Sequence, residues 1–214
     1  MITNYDVIVI GAGHAGVEAS AASSRIGRKT LLVTLDKDKI GEMSCNPAIG
    51  GLGKGHIVRE IDALDGIMAK AIDQAGIQFR MLNLSKGPAV HGPRSQADRN
   101  LYKAAIKNLI IKEKNLSIIE GMVNDIIIKD NKFKAIVLEN GLSIKGLCLI
   151  ITTGTFLGGI IHIGKERFSA GRIDEKASIG LSKKIRSLNF PVGRLKTGTP
   201  PRIQKDTINW GVIE

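Results

Sequence analysis

Residues Tyr5 to Gly16 read Y-D-V-I-V-I-G-A-G-H-A-G, an apolar strand that runs through three glycines into an alanine-rich helix. Few local patterns restrict a fold more tightly. A strand, a G-x-G-x-x-G turn and a helix in that order form the first half of a βαβ unit, and the turn is a place for the pyrophosphate of a dinucleotide. Gly11 permits the sharp turn and Gly13 lets phosphate approach the backbone. Gly16 lets the helix from Val17 to Arg25 pack on the strand with its N-terminal amides toward the anion. Gly27-Arg28-Lys29 then lead into a second strand at Thr30 to Val33. A bare βα turn without a ligand is the alternative, and the complete strand, turn, helix and strand context weighs against it. The carboxylate that grips a ribose belongs at the end of the second strand, about 20 residues past the glycines. Thr34 stands there and Asp36 follows, and either can reach a ribose hydroxyl.

The chain has 214 residues, 43% of them hydrophobic, enough for one α/β domain or for one domain and part of another. No apolar run nears the ~20 residues of a membrane span. The first strand starts almost at Met1, which leaves no room for a signal or transit peptide. Cys45 and Cys148 have no C-x-x-C spacing, and the four histidines, His14, His56, His91 and His162, form no metal pattern. These features predict a soluble, cytoplasmic protein without disulfides or bound metal. The net charge of +11 makes nucleic acid the first acidic partner to consider. Scattered Lys107, Lys112, Lys114, Lys129, Lys132 and Lys134 also fit ordinary solvated faces. With aromatic residues at 4%, platforms for stacking bases are absent, so polynucleotide contact would be to phosphate.

Gly41 to Gly55 (G-E-M-S-C-N-P-A-I-G-G-L-G-K-G) is too glycine-rich for helix or strand and reads as a shaped loop along a cofactor. It is not a P-loop, because Gly55 follows Lys54 where Ser or Thr is needed. Cys45 in this loop is either a reactive thiol or a small buried cysteine. Apolar residues Ile57, Ile61, Leu64, Met68, Ile72 and Ala75 predict one helix from Lys54 to Ala75, stopped by Gly76. A polar loop with Lys86, His91, Arg94, Gln96, Asp98 and Arg99 follows. A third helix is predicted over Asp98 to Lys112 with Leu101, Ala105 and Leu109 on its inner face. From Leu116 the period becomes that of strands: Leu116 to Glu120, Met122 to Lys129, Phe133 to Leu138 and Leu142 to Ile144, with a hairpin at Asn140-Gly141. Leu147 to Ile151 reads as a strand buried on both faces, with Cys148 in the core, and ends in T-T-G-T.

This order resembles the FAD-binding, Rossmann-like α/β domain of the glutathione-reductase class, with a β-meander insertion. More specifically, S-C-N-P-A-I-G-G-L-G-K-G-H, G-I-Q-F-R-M-L-N-L-S-K-G-P-A-V, P-R-S-Q-A-D-R, G-R-I-D-E-K-A-S-I-G-L-S and G-R-L-K-T-G-T-P-P-R are similar to the glucose-inhibited division protein A family of tRNA uridine 5-carboxymethylaminomethyl modification enzymes. The resemblance runs through the whole chain.

It implies a FAD protein that, with a partner GTPase (MnmE), builds a carboxymethylaminomethyl or aminomethyl group on C5 of the wobble uridine of certain tRNAs. NADH serves as reductant and methylene-tetrahydrofolate as carbon donor, in a homodimer. Dinucleotide-binding positions carry over to Gly11, Ala12, Gly13, His14, Ala15 and Gly16, to Val123, whose backbone would meet the adenine, and to Ser178. Ser178 also precedes Ile179, Leu181, Ile185 and Leu188 as a helix N-cap. Cys45 matches one of two cysteines on which the family relies. Lys86, Arg94, Arg99, Arg194, Lys196 and Arg202 are candidates for phosphate contact or for orienting FAD. Residues 1–160 are expected to form the FAD domain, with the meander at about 116–145, and 161–214 the start of a following segment. Family members are considerably longer, and their NADH-binding segment, second cysteine and C-terminal tRNA and GTPase region would lie beyond Glu214. The chain alone is then expected to bind FAD without turnover. The alternatives are a folate- and FAD-dependent tRNA uridine methyltransferase and a small-molecule FAD and NADH oxidoreductase.

Overall fold

A computed structural model describes residues 4–43, 46–198 and 203–212. The glycine turn joins β1 (Asn4–Ile10) to α1 (His14–Arg25), and β2 (Thr30–Thr34) follows, all five of its residues buried. The chain then builds an outlying layer: β3 (Ala48–Gly50), α2 (Lys54–Ala63), α3 (Met68–Ala75), β4 (Gly76–Leu82), β5 (Gly92–Ala97) and α4 (Arg99–Ile110). It returns through β6 (Leu116–Glu120) and the antiparallel run β7 (Val123–Lys129), β8 (Lys132–Leu138) and β9 (Ser143–Ile151). A hairpin, β10 (Ile160–Ile163) and β11 (Glu166–Ser169), precedes α5 (Ile179–Ser187).

One six-stranded sheet has the order β6-β2-β1-β9-β8-β7, and β3, β5 and β4 form a separate antiparallel sheet. The first four strands of the large sheet are parallel; β8 and β7 are antiparallel extensions. This is the Rossmann-like α/β architecture with a meander. Alternation along β1 and β2 divides the core. Val9 and Leu32 pack under α1, α3 and α4 with Val17, Ala71, Tyr102 and Ile106. Ile8, Ile10, Leu31 and Val33 face the other way, against Ile126, Ile136 and Leu138 of the meander and Leu181 of α5. The hairpin turns are the expected ones: Asp130 and Asn131 adopt φ of 53° and 54°, and Gly141 adopts 83°.

The structure corrects several expectations. The helix predicted over Lys54 to Ala75 is two helices, broken where Asp65 takes φ 66° and where a side chain on Gly66 would strike Ile61. Ile57 and Leu64 are consequently exposed. The break exists because α3 is capped from a distance. The buried carboxylate of Glu18 on α1 accepts the amides of Ile67 (3.0 Å) and Met68 (2.6 Å). On α4, which Asp98 caps, the inner face is Tyr102, Ala105, Ile106 and Ile110, and Leu101 faces solvent; the apolar pattern fits either face, and packing on α3 decides between them. Gly92 to Ala97 is a strand rather than a loop, burying Gly92, Ser95 and Ala97, which carry little β signal, and Ala48 to Gly50 is another, too short for its one buried residue, Ile49, to mark it.

Cys148 is exposed, not core, and Leu147 is 74% exposed. The expectation of burial on both faces fails because β8 pairs only with residues 143–145 of β9. Among the described residues, nothing pairs with the far edge of Cys148 to Ile151.

The Glu18 cap yields a stability prediction. Glu18→Ala leaves two buried amides without an acceptor and should lower unfolding free energy by about 2–3 kcal/mol in urea titrations. Glu18→Gln keeps one acceptor oxygen and should lose about half as much. Equal stability of Ala and wild type would show that the amides find other partners.

Candidate functional site

The corner between β1 and α1 is closed by missing side chains. Gly11 has φ 98°, and a Cβ there would meet the backbone of Thr152. A Cβ on Gly16 would collide with the Gly11 carbonyl and with Thr152 Oγ1. The Thr152 hydroxyl, just past β9, is shared between the carbonyls of Ile10 (2.8 Å) and Gly11 (3.0 Å), which fixes the turn against the neighbouring strand. Gly13 is different, since nothing lies within 4 Å of a Cβ built on it. Its lack of a side chain leaves room, not packing. Gly13 is also the N-cap of α1, with no side-chain cap and no acidic residue in the first turn. The first amides of α1 are therefore free to meet an anion.

A cavity opens above this corner, lined by Gly11 to His14, Thr34 to Asp36, Met122, Val123, Thr152 to Phe156, Arg172 and Ser178. Thus Gly11, Ala12, Gly13, His14, Val123 and Ser178 come together as the motif carry-over requires. Ala15 points to solvent and Gly16 lies beneath the turn, so neither lines the cavity. Ser178 does stand at the N-cap of α5, but its hydroxyl does not cap. It reaches the Val123 carbonyl at 3.5 Å, and its amide donates to Phe156 O at 2.8 Å. Of the two ribose candidates, Thr34 donates its hydroxyl to the Asp36 carbonyl (3.0 Å), and the Asp36 carboxylate accepts the Asp38 amide (2.7 Å). Both line the cavity. Cys45 and Arg202 lie outside the described residues.

The wall facing the turn carries groups that no sequence pattern singled out. Arg172 NH1 stands 3.1 Å from Glu42 Oε1 and 3.7 Å from Glu175 Oε1, and the guanidinium lies over the Phe156 ring. Lys39 binds Glu175 at 2.7 Å. Only the G-R-I-D-E stretch of the family motif marked this region, without a role for any residue. On the floor, His14 meets Tyr102 edge to face at 5.6 Å between ring centroids. Burial, with Lys54 adding to it, pulls the His14 pKa down to about 4, so the imidazole is neutral at neutral pH. Burial and then Glu18 raise the Tyr102 phenol. Neither His14 Nε2 nor the Tyr102 hydroxyl has a hydrogen-bond partner. His91, unassigned from the sequence, contacts the Lys86 carbonyl. Among the described residues, no helix is long and apolar enough to cross a membrane, and no cluster of three metal-ligating side chains occurs.

Comparison with known proteins bears on the family and the fold. A family model described as glucose inhibited division protein A matches residues 6–214. The tRNA uridine 5-carboxymethylaminomethyl modification enzyme MnmG of Granulibacter bethesdensis is 57% identical over 209 residues, which make up 96% of this chain and 33% of that protein. A crystal structure of GidA from Aquifex aeolicus superposes with a TM-score of 0.89 at 50% identity, over 99% of this chain and 35% of that one. The GidA-related protein of Thermus thermophilus shares the fold, with a TM-score of 0.63 at 18% identity over 87% of this chain and 69% of the other. The chain spans about a third of the length of the first two relatives.

The floor of the cavity supports two predictions. Gly13→Val should fold with a thermal midpoint within ~2 °C of wild type, because its side chain enters open space, yet retain no flavin by absorbance. Gly16→Val should instead fail to fold stably, and normal flavin in the Gly13 variant would remove the cavity from consideration. For His14, the folded value of about 4 lies below the ordinary 6.5, so between them the unfolded chain binds a proton that the folded chain does not. Stability from this residue is complete above pH 6.5 and declines toward pH 4, by on the order of 2–3 kcal/mol. His14→Asn should flatten that part of the urea-measured pH profile relative to wild type.

Proposed function

The chain belongs to the glucose inhibited division protein A family, and from that membership together with the cavity we propose that it is the FAD-holding part of an enzyme that modifies the wobble uridine of tRNA. The observation that carries the cofactor assignment is the open space above Gly13 at an uncapped helix start. A pyrophosphate fits there and a side chain would fill it. Ala12, Gly13 and His14 supply backbone amides to the phosphates, the Gly11 amide being held by the Val33 carbonyl at 2.9 Å. Val123 and Ser178 bound the adenosine end, where the Ser178 hydroxyl and the Val123 carbonyl already face each other. Bound FAD supplies reversible two-electron transfer to the carbon unit being attached to C5 of uridine. NADH as reductant, methylene-tetrahydrofolate as carbon donor, the partner GTPase MnmE, the homodimer and a cytoplasmic location complete the proposal on the strength of the family resemblance. Cys45 is the thiol assigned to chemistry beside the flavin.

The charge distribution supports a polyanionic substrate. Arg80 and Arg94 are direct register partners on β4 and β5. Like charges opposed across a strand pair are unfavourable alone and are relieved by a phosphate between them. Lys86 is exposed on the connection between these two strands. Arg194 has a place of its own, donating to the Gly158 carbonyl at 3.2 Å.

The test is reconstitution of the complete protein with FAD, NADH, methylene-tetrahydrofolate, the GTPase, GTP and unmodified tRNA, followed by nucleoside analysis. A modified C5 on the wobble uridine is the expected product, and its absence overturns the proposal. Cys45→Ser should reduce product by more than ~100-fold while leaving flavin content and thermal midpoint near wild type. Full activity of that variant would make Cys45 a packing residue.

A further inference from the structure

We propose that Arg172 is the side-chain cation that holds the pyrophosphate of the dinucleotide, meeting it from the wall opposite the glycine turn. The inference rests on the FAD reading above. A pyrophosphate diester brings two negative charges, whereas a helix N-terminus offers roughly half a positive one. The first turn of α1 holds no cation, and His14 is neutral there. Among the described residues lining the cavity, the cations are Lys39 and Arg172. Lys39 is committed to Glu175 at 2.7 Å, with Asp36 at 4.0 Å as a second partner.

Arg172 is held differently. Its NH1 is close to Glu42 and Glu175, but neither NH1 nor Nε has an aligned acceptor, although both atoms are buried. Native structures rarely leave such donors unmet, and a guanidinium carries the charge and the N–H groups that phosphate oxygens accept from. Its presentation is built into the backbone. The Gly171 amide donates to Glu175 O (3.0 Å), the Glu175 amide donates to Arg172 O (3.1 Å), and Asp174 between them takes φ 63°. Thr155 Oγ1 pins the turn by donating to the Gly171 carbonyl at 2.8 Å. A Cβ on Gly171 would strike the Phe156 ring, so glycine lets that ring lie beneath the guanidinium. Glu42, 31% exposed, is free to turn toward water as phosphate takes its place.

The experiment loads the complete protein with FAD and follows its release by the recovery of free-flavin fluorescence. Arg172→Gln should release FAD ~10- to 100-fold faster than wild type, with Arg172→Lys between them. The affinity for riboflavin, which lacks the pyrophosphate, should be the same in all three. The double variant Glu42→Gln/Glu175→Gln removes the protein's own partners of Arg172 and should keep FAD at least as long as wild type. Equal release from Arg172→Gln and wild type, or release from the double variant as fast as from Arg172→Gln, would overturn the assignment and leave Arg172 an ion-pairing residue. A wild-type protein that takes up no FAD overturns the cofactor reading itself, and this inference with it.

Discussion

The approach of α1 to the end of β1, with Gly16 against the carbonyl of Gly11, is the contact around which the molecule is arranged. A helix and a strand end meet this closely only when neither carries a side chain at the junction, and Thr152 then ties the corner to β9 through one shared hydroxyl. Once the axis of α1 is set, positions one turn apart fall on one face. His14 reaches Tyr102 of α4, and Glu18 reaches the first amides of α3. The junction that forms the floor of the cavity therefore also docks two helices of the outlying layer.

The opposite wall follows another logic. Residues 39–42 and 172–175, far apart in the chain, are joined by Lys39 with Glu175 and by Arg172 with Glu42. Partly exposed pairs of this kind contribute roughly 0–1 kcal/mol each. Their effect is on direction more than stability, since they hold long flexible side chains at the rim of the cavity. Floor and wall thus divide the work: backbone dipoles that cannot move lie below, and charged groups that can exchange partners lie above.

The glycine turn, the first two strands, the turns of the meander and the closing Thr-Gly were legible in the sequence because each is a local rule, in which a turn residue sits beside a periodic run. The two strands expected over 142–144 and 147–151 are, however, one strand, β9. What was not legible depends on partners distant in the chain. Asp65-Gly66 is a local turn signal that the apolar period on either side outweighs, and the acceptor that makes the break favourable is Glu18 on another helix. Leu101 and Tyr102 are adjacent and both apolar enough to bury, and the packing of α4 on α3 selects Tyr102. Cys148 sits in an apolar run, yet its exposure is decided by which strands lie alongside. At the site, Gly11 to His14, Val123 and Ser178 converge as expected, whereas Arg172, Glu42 and Phe156 form a wall through pairings that no spacing encodes.

The cavity draws on residues 10 through 178, and its last contributor, Ser178, is held by Phe156 and backed by Leu181 and Ile185 against the meander. A chain emerging from the ribosome presents its glycine turn first, but the Ser178 side of the cavity stays open until α5 has been made and folded back. Long-range closure of this kind is slow relative to local helix formation. The cavity is accordingly completed late in biosynthesis, only once residues up to 188 have cleared the exit tunnel.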